Sequence, residues 1–538
     1  MEKTMHKIDL ANTELRTLPA LLKIQSELNG DTAFLLTDSE QLSFSETQQK
    51  CLSLATGLAN LGISKGDHVG VFLSNCPEMV LVAIAANMLG AIWVPICTDY
   101  KGNWLSDTIS RSRPKLLITE SSLAERISDD CLVENNCALI LTDKITKQGQ
   151  MTFESLLNNQ PWQVNYQDID YGDTSAVVWT SGTTGKSKGV LVSHNGWIRP
   201  IEQGSSIFYQ SVEGDVIFNV LPMYHAGAWT TSILRALIEG LGVVLEKRFS
   251  VQNFWQRINK FKATQSFTLG AMHMFLWNAP KQDNDAQNTL RTLQAVPINK
   301  ALIEPFEKRF GLNIVGSGLG QSECMLIATQ AGASLPIADN SIGFARPDTE
   351  LGIFDDQDQR LSDGSVGEIR IKPLQAHIVC NGYLDDSVAS ANAWKGEWFC
   401  TGDLGYRDSN GAYFFSDRKK DAVRFAGRNI STMEVEGVLR QYPDVIDVAA
   451  YGIPSTESDS EDELKIDLVL RPDADVTHEQ VAQFINDNAP YYFVPRFMEF
   501  VTQLPYTPTN KVQKYLLREK PITEAAWDLR SSNFKVSR

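Results

Sequence analysis

Residues 180–189 read TSGTTGKSKG and combine three glycines, five hydroxyl side chains and two lysines within ten positions. The segments on either side, 176–179 and 190–192, consist of residues that favour strands. A glycine-rich loop between two strands can turn several backbone N–H groups toward one point, and lysine charge beside it suits a phosphate chain. The loop therefore predicts a phosphate ligand.

Two other interpretations of this loop compete with phosphate binding. The triplet Gly185-Lys186-Ser187 matches the end of a Walker A loop, but that motif needs a glycine where this chain has Thr180, and a helix after it. The residues after Gly189 favour a strand instead. A surface hairpin with ordinary turn residues accounts for one or two glycines but not for the whole string.

The length, net charge and cysteine content of the sequence limit the class of protein. A chain of 538 residues is too long for one core and predicts two or more domains. A net charge of −16 and a pI of about 5.0 argue against a nucleic-acid partner, which selects basic surfaces. The eight cysteines form no CxxC or zinc-spaced pair, so we expect reduced thiols and a cytoplasmic location.

No integral membrane segment is expected. The first residues, MEKTMHKIDL, contain no apolar signal core. Residues 79–96 are apolar and uncharged, but Asn87, Gly90 and Pro95 interrupt them. The pattern therefore predicts a buried helix followed by a strand.

Helical and strand patterns alternate along residues 1–175, which predicts parallel sheets covered by helices, an α/β fold. Ser45 and Gln48 form a capping pattern that predicts the start of a helix ending near Gly62. Residues 121–165 are less regular and are expected to form a surface excursion. Short strands with turns from residue 340 predict a small β-rich subdomain over 340–417.

A cluster of charges at residues 416–421, SDRKKD, is typical of a solvated linker. It places the domain boundary between residues 417 and 418, so the predicted domains are 1–417 and 418–538. The second domain is expected to be small and α+β. Capping patterns at Ser431 and Glu434 and at Thr477 and Gln480 predict the starts of two helices, and a half-exposed strand is expected around Lys465 and Asp467.

Several other positions carry chemistry but are weak signals alone. Glycines 316, 318 and 320 mark a tight turn before Ser322 and Glu323, where a single carboxylate could hold Mg²⁺ beside phosphates. Asp403, after Thr-Gly at a predicted strand end, could accept both ribose hydroxyls or be a turn residue. His225 could face a pocket or bond to the backbone at a helix start. Lys511 on its Pro/Thr-rich loop would ordinarily be exposed.

Taken in order, these motifs resemble the adenylate-forming superfamily, which includes acyl-CoA synthetases, peptide-synthetase adenylation domains and beetle luciferases. The resemblance covers nearly the whole chain. The region with GRNIS at 427–431 and EVE at 434–436 most resembles the carnitine/crotonobetaine–CoA ligase branch.

The resemblance implies a fold and a reaction. The fold is a large N-terminal domain of mixed sheets and helices, with a small mobile C-terminal domain. The reaction is a two-step ligation, in which a small carboxylic acid attacks the α-phosphorus of ATP to give acyl-AMP and pyrophosphate, and the CoA thiol then takes the acyl group. ATP, Mg²⁺ and CoA are the expected ligands.

The resemblance also assigns residues to parts of the site. It implies catalytic roles for Lys511 at the α-phosphate, Glu323 at Mg²⁺ and His225 at the acyl pocket. Lys420 matches the hinge about which the small domain rotates, and Gly427 and Arg424 would line the CoA channel. For phosphate binding it implies Thr180, Ser181, Gly182, Thr183, Thr184, Gly185, Lys188 and Ser322. For adenine and ribose it implies Gly318, Leu319, Gly320, Gln321, Asp403 and Arg418.

The sequence departs from the family pattern at a few positions. Leu319 stands where an aromatic residue usually stacks on adenine, Ser187 replaces a proline, and Asn510 replaces the glycine before the late lysine. The Gly-Ala-Pro-like segment of the adenine wall is Ala295-Val296-Pro297. The pattern gives an acid pocket of unknown depth with mainly apolar walls, at Met223, His225, Trp229, Ala271, Met272 and Gly318.

Two alternatives to CoA ligation remain open from the sequence. An acyl-AMP ligase could deliver the acyl group to the phosphopantetheine of a carrier protein or to an amine, and sequence separates these acceptors poorly. A non-catalytic nucleotide-binding protein could retain the fold, although Glu323, Asp403, Arg418 and Lys511 argue against it. Amino-acid activation is disfavoured, because Met223-Tyr224-His225 contains no aspartate after Pro222.

Overall fold

The structure is a computed structural model of the chain. The residues that it describes are 8–143, 151–180, 187–269, 272–296, 298, 300–316, 318–331, 341–419, 421, 423–425, 428–455, 462–506, 512–523 and 525–536.

Two compact units make up the chain. The first comprises the described residues of Met1–Thr180, Ser187–Glu350 and Pro373–Glu397. The second comprises those of Leu351–Lys372 and Trp398–Arg538. The predicted domain boundary between residues 417 and 418 stays a prediction.

The strands of the described residues are, in chain order, β1 Ala33–Leu36, β2 Gln41–Ser43, β3 His68–Phe72, β4 Ile92–Pro95, β5 Leu116–Thr119, β6 Ala138–Leu141, β7 Thr174–Trp179, β8 Gly189–Ser193, β9 Val216–Asn219, β10 Gly242–Leu245, β11 Gln265–Leu269, β12 Thr292–Val296, β13 Asn313–Val315, β14 Gly318–Gln321, β15 Cys324–Thr329, β16 Ser341–Ala345, β17 Thr349–Phe354, β18 Gly367–Pro373, β19 Trp394–Lys395, β20 Trp398–Arg407, β21 Tyr413–Arg418, β22 Val423–Phe425, β23 Arg428–Ile430, β24 Val445–Pro454, β25 Asp462–Leu470, β26 Phe497–Phe500 and β27 Trp527–Asp528.

The α-helices are α1 Leu18–Leu28, α2 Phe44–Asn60, α3 Pro77–Met88, α4 Gly102–Ser112, α5 Ser121–Ala124, α6 Asp129–Glu134, α7 Phe153–Leu157, α8 His194–Pro200, α9 Ser206–Tyr209, α10 Ala226–Ala228, α11 Leu234–Glu239, α12 Phe254–Phe261, α13 Met272–Asn278, α14 Lys300–Phe310, α15 Ser387–Asn392, α16 Thr432–Leu439, α17 His478–Asn488 and α18 Lys514–Arg518.

Two sheets with helices between their strands form most of the first unit. One has the order β13-β12-β11-β9-β10-β1-β2 and is parallel except for β2. The other has the order β6-β5-β3-β4-β7-β8 and is parallel except for β8, which runs antiparallel to β7. This arrangement agrees with the predicted α/β pattern, because parallel neighbours need crossover connections.

The core of the first unit includes the interior faces of both sheets and the helices α1, α2 and α3. Eleven of the twelve residues of α3 are buried, which confirms the predicted buried helix. Its one buried amide, Asn87, donates to the carbonyls of Ala91 and Ser175 and accepts from the Ser175 hydroxyl. Among the described residues, no helix is both long and apolar enough to cross a membrane.

Two expectations for the first unit are wrong. The helix predicted from Ser45 begins at Phe44, and its capping box is formed by Ser43 and Glu46, because the register of the apolar face selects the cap two residues earlier. The described residues of 121–165 are not only a surface excursion. Within them β6 extends the second sheet in parallel register with β5, since its buried Ile140 and Leu141 complete the sheet's core.

The second unit contains the neighbouring strands β17, β18, β20 and β21, of which β18, β20 and β21 run antiparallel. It also contains a four-stranded sheet of order β24-β25-β26-β27, in which β25 and β26 are parallel and the other pairs are antiparallel. Helix α16 begins at its predicted cap, Ser431, and α17 begins at the predicted capping box of Thr477 and Gln480. These elements make the small α+β fold that the sequence predicts.

Two charged segments of the second unit are more buried than expected. Residues 416–418 belong to β21 instead of a solvated linker, and the buried Asp417 accepts from the N–H and hydroxyl of Thr432. Strand β25 is buried on both faces, because Lys465 donates to Asp467, Glu499 and Tyr451. Paired charges can be buried where isolated ones cannot.

His194 links the start of α8 to the start of α1. Its Nδ1 accepts a hydrogen bond from the N–H of Leu18, an otherwise unpaired helix-terminal donor, at 3.3 Å. Burial lowers the pKa of His194 to about 4, since the interior disfavours its charged form.

The pKa of His194 predicts a loss of stability in acid. An unfolded histidine has a pKa of about 6.5, so between roughly pH 6.5 and 4 the unfolded chain binds a proton that the folded chain does not. The free energy of unfolding should fall by about 3 kcal/mol across that window. Denaturant unfolding of wild type and His194→Asn, followed by tryptophan fluorescence, tests this. The variant should lose that part of the pH dependence of the free energy of unfolding. Equal pH dependence in both proteins would contradict the role given to His194.

Candidate active site

The ends of the glycine-rich loop are fixed by the hairpin of β7 and β8. Trp179 pairs with Gly189, and beyond that pair Thr180 N–H donates to the Lys188 carbonyl at 2.9 Å. The N–H of Lys188 returns a bond to the Thr180 hydroxyl at 3.3 Å. Both predicted flanking strands are therefore confirmed, and Lys188 lies exposed at the mouth of the loop. Residues 181–186 lie outside the described residues.

A second hairpin carries the residues predicted to hold magnesium and the α-phosphate. Strands β14 and β15 are antiparallel, and Ser322 and Glu323 form the turn between the paired residues Gln321 and Cys324. The expectation that the three glycines make a tight turn is wrong. Gly318 and Gly320 lie within β14, and a Cβ at Gly320 would be 2.4 Å from the Leu326 nitrogen. Glycine is needed there because the two strands approach so closely.

Leu326 sits in this hairpin with a φ of 53°, which is strained for a branched side chain. Buried Arg199 holds the backbone there by donating to the carbonyls of Met325 and Leu326. The same guanidinium makes two hydrogen bonds to buried Asp348, at 2.7 and 2.6 Å. A bidentate pair of this kind fixes the hairpin beside Glu323.

Glu323 and Lys188 both contact Tyr383. The Tyr383 hydroxyl donates to Glu323 Oε1 at 3.0 Å. The Lys188 ammonium lies over the Tyr383 ring, 4.6 Å from its centroid. Burial and the Glu323 charge raise the pKa of Tyr383 well above its usual value, so its hydroxyl keeps the proton that it donates.

The donor set at Glu323 fits a cation that is shared with a phosphate ligand. Within the described ranges, no group of three or more His, Cys, Asp or Glu side chains could hold a metal by itself. One carboxylate with an oxygen left beyond its Tyr383 bond is what Mg²⁺ uses when phosphates supply its other ligands. Glu323 therefore suits a magnesium–triphosphate ligand better than a stand-alone metal site.

His225 caps the short helix α10. Its Nδ1 accepts a hydrogen bond from the Gly227 N–H at 3.3 Å. This is the backbone bond at a helix start that the sequence left open as one interpretation of His225. Its role in an acyl pocket stays a prediction. Two expected pocket walls, Met223 and Trp229, have no exposed surface. Trp229 donates to the Met223 carbonyl and packs against Trp93 in the core.

Asp403 and Arg418 come together in the second unit. They pair across β20 and β21, where Arg418 Nε lies 2.9 Å from Asp403 Oδ1. The expectation that Asp403 ends a strand is wrong, because it lies inside β20. Gly402, with a φ of 69°, makes an irregularity there, and the Asp403 N–H donates to the Thr401 hydroxyl. The carboxylate is fully buried beside a half-exposed guanidinium.

The loop that carries Lys511 has described ends. Tyr506 and Val512 form an antiparallel bridge, and Gln513 N–H donates to the Pro505 carbonyl at 2.8 Å. Lys514 Nζ lies 2.8 Å from Glu436 Oε1. The predicted site residues that lie outside the described ones are Ser181, Gly182, Thr183, Thr184, Gly185, Lys420, Gly427 and Lys511, together with the side chain of Arg424.

Comparisons with known proteins identify the family. A model of the AMP-binding enzyme family matches residues 22–384. A second, of the AMP-binding enzyme C-terminal domain, matches residues 434–511. The chain belongs to the AMP-binding enzyme family. The predicted membership of the adenylate-forming superfamily is confirmed.

Relatives within the AMP-binding enzyme family match along almost their whole length. Crotonobetaine/carnitine–CoA ligases of Salmonella agona (strain SL483) and Salmonella typhimurium (strain LT2) are 28% identical to this chain over 502 residues, covering 91% of it and 96% of each relative. They belong to the branch that the sequence resembles.

Solved structures share the fold. The anthranilate CoA ligase AuaEII, in complex with anthranoyl-AMP, has a TM-score of 0.83 at 22% identity over 93% of this chain and 96% of that chain. A benzoate CoA ligase from Burkholderia xenovorans LB400 has a TM-score of 0.82 at 20% identity over 94% of this chain and 100% of its own. These similarities confirm the predicted fold class.

Sequence reasoning missed Tyr383 and Arg199. Tyr383 follows Gly382, and nothing in its sequence neighbours points to Glu323, 60 positions away. Arg199 lies in a helix that is almost wholly buried, whereas an arginine is ordinarily exposed. The only local signal for Tyr383 is its place beside a glycine. For Arg199 it is the mainly buried helix in which the residue lies.

Asp403 predicts a test of ribose recognition. If its carboxylate accepts both ribose hydroxyls, Asp403→Ala should weaken ATP binding about tenfold, because hydrogen bonds to a charged group are lost. It should weaken binding of 2′-deoxy-ATP much less. Calorimetry with both nucleotides measures this.

The matched control is Asp363→Ala, which removes a surface aspartate paired with Arg407 in the same unit. It should leave both affinities unchanged. If Asp403→Ala and wild type prefer ATP over 2′-deoxy-ATP by the same factor, Asp403 does not bind the ribose.

Proposed function

We propose that this chain is an AMP-forming acid–CoA ligase. A carboxylate attacks the α-phosphorus of ATP, pyrophosphate leaves, and the CoA thiol then takes the acyl group from acyl-AMP. The observation that carries the proposal is the family match over both segments of the chain. CoA ligases among the relatives and the structural neighbours support the acceptor.

The first unit binds the leaving group, pyrophosphate. Lys188 and Glu323 bring one positive and one negative charge to Tyr383, the first over its ring and the second at its hydroxyl. Lys188 binds phosphate oxygens directly, together with Thr180 and residues 181–185, and Ser322 contacts the α-phosphate. Glu323 binds the magnesium that accompanies ATP, which neutralises charge on the departing pyrophosphate.

The second unit supplies the ribose contacts and the reacting charge, and strand β14 of the first unit supplies the adenine contacts. Buried Asp403 accepts the ribose hydroxyls, and its ion pair with Arg418 orients the carboxylate. Adenine lies against Gly318, Leu319, Gly320 and Gln321. Lys511 stabilises negative charge on the α-phosphate as the acyl–phosphate bond forms. The C-terminal domain, from residue 418, rotates about Lys420 so that Gly427 and Arg424 line the path of the CoA arm.

The acid substrate is small, and its pocket lies near His225. The named substrates of the Salmonella relatives, crotonobetaine and carnitine, make a small acid with a quaternary amine the first candidate. Leu319 in place of the usual aromatic residue leaves adenine with aliphatic packing, so base selectivity should be modest.

A panel of carboxylic acids tests the function. Pyrophosphate release is measured with crotonobetaine, carnitine, anthranilate, benzoate and short fatty acids, each with and without CoA. We expect release with a few acids and acyl-CoA by mass spectrometry only when CoA is present. Acyl transfer to a carrier protein or an amine in place of CoA would favour the alternative acceptor, and no release with any acid would contradict the ligase.

Lys511 and Gly427 predict opposite effects on the two half-reactions. Lys511→Ala should suppress acyl-AMP formation by at least about a hundredfold, because a charge is lost from the transition state, and spare thioester formation from supplied acyl-AMP. Gly427→Phe should do the reverse, since a bulky side chain obstructs the CoA arm. Pyrophosphate release and single-turnover thioesterification measure the two steps. Parallel loss of both steps in either variant would refute the role assigned to that residue.

A further inference from the structure

Residues 380–384 join the two halves of the proposed phosphate site. On one side they bond to the backbone of β8, with Leu191 N–H donating to the Gly382 carbonyl and Leu384 N–H donating to the Gly189 carbonyl. On the other side, Cys380 N–H donates to the Glu323 carbonyl at 2.7 Å. All of these residues belong to one compact unit. The segment therefore fixes the loop that carries Lys188 relative to the turn that carries Glu323.

The side chain of Tyr383 continues this arrangement into the site. Its hydroxyl donates to Glu323 Oε1 at 3.0 Å, and its ring faces the Lys188 ammonium at 4.6 Å. Among the ion pairs of the described residues, none joins Lys188 to Glu323, although opposite charges attract each other. Both groups instead contact the phenol of Tyr383.

This geometry leaves both charged groups available to a ligand. A phenol donor occupies one lone pair of the carboxylate and leaves the other oxygen for a cation. A ring face attracts the ammonium without accepting any of its three N–H bonds, which stay free for phosphate oxygens. A direct ion pair between Lys188 and Glu323 would consume both groups.

We propose that Tyr383 is a positioning residue of the adenylation site, which holds the Lys188 ammonium and the Glu323 carboxylate apart and directs both toward magnesium triphosphate. The inference rests on the proposed function and adds a residue to which no role has been given. Tyr383 acts through its two neighbours and takes no part in the chemical step.

Two variants separate the contacts of Tyr383. Tyr383→Phe keeps the ring under Lys188 and removes only the hydroxyl, so Glu323 is released to pair with Lys188. The magnesium concentration for half-maximal nucleotide binding should rise about tenfold, the cost of one hydrogen bond to a charged group. Tyr383→Leu also removes the ring, and nucleotide affinity at saturating magnesium should fall by a further factor of about three.

Calorimetry with α,β-methylene-ATP, which cannot release pyrophosphate, is the readout. It is titrated over a range of MgCl₂ concentrations and needs no turnover. Tyr406→Phe is the matched control, because it also removes a tyrosine hydroxyl. Tyr406 stacks on Phe414 in the other unit, so this change should leave the magnesium dependence of nucleotide binding unaltered. Thermal midpoints of all variants report on folding.

A double-mutant cycle with Glu323→Gln tests whether the hydroxyl acts through Glu323. In that background Tyr383→Phe should change the magnesium dependence little, because the carboxylate that it orients is gone. Additive effects of the two changes would overturn the proposal. A magnesium dependence of Tyr383→Phe equal to that of wild type would overturn it as well.

Half-reaction assays separate this inference from the proposed function. Tyr383→Phe should spare thioester formation from supplied acyl-AMP, which involves no triphosphate, and a merely structural defect that slows both steps equally would refute it. Failure of the wild-type protein in the acid panel would refute the ligase itself. A wild type that activates an acid, beside a Tyr383→Phe variant with unaltered magnesium dependence, would refute only the role of Tyr383.

Discussion

The hydrogen bonds of residues 380–384 are the interaction on which the phosphate site depends. This segment bonds to β8 along one side and to the Glu323 carbonyl on the other, and so joins a loop and a hairpin from distant parts of the sequence. Backbone hydrogen bonds within a packed unit define relative positions more tightly than side-chain contacts can. Because the stems of the loop and the hairpin are fixed, a single aromatic side chain can contact both charged groups.

Charged pairs also fix the relative positions of backbone segments elsewhere in the molecule. Arg199 and Asp348 fix the backbone of the hairpin that carries Glu323, Asp403 and Arg418 pair across two strands, and Lys465 with Asp467 lies inside the small C-terminal sheet. Each pair loses hydration when buried, so it contributes less to stability than to a defined geometry. A ligase that handles a tetra-anionic nucleotide needs its charged groups directed before the ligand arrives, since reorganisation during the reaction would cost catalytic power.

Prediction from sequence succeeded where the signal is local. Helix α3 is buried as predicted, because its run of apolar residues is visible in the sequence itself. The Thr477 capping box was also readable, since both of its hydrogen bonds lie within four residues. Prediction failed for Asp417, Lys465 and β6. A charged residue looks exposed until its partners are known. The partner of Asp417 is Thr432 at the start of α16, and Lys465 also donates to Tyr451 and Glu499 on the neighbouring strands β24 and β26.

The sequence by itself determined the family, the α/β class and the identity of the charged groups, because these depend on residue type and on order along the chain. Only the tertiary structure decided how those groups are held. It placed Tyr383 in contact with both Lys188 and Glu323, and it buried Asp403 inside a strand opposite Arg418. The physical reason is that the separation of these residues along the chain carries no information about their distance in space, which strand register and packing determine. The residue types of the TSGTTGKSKG loop predict a phosphate ligand, whereas the positions of Lys188 and Glu323 relative to Tyr383 follow from the strands that carry them.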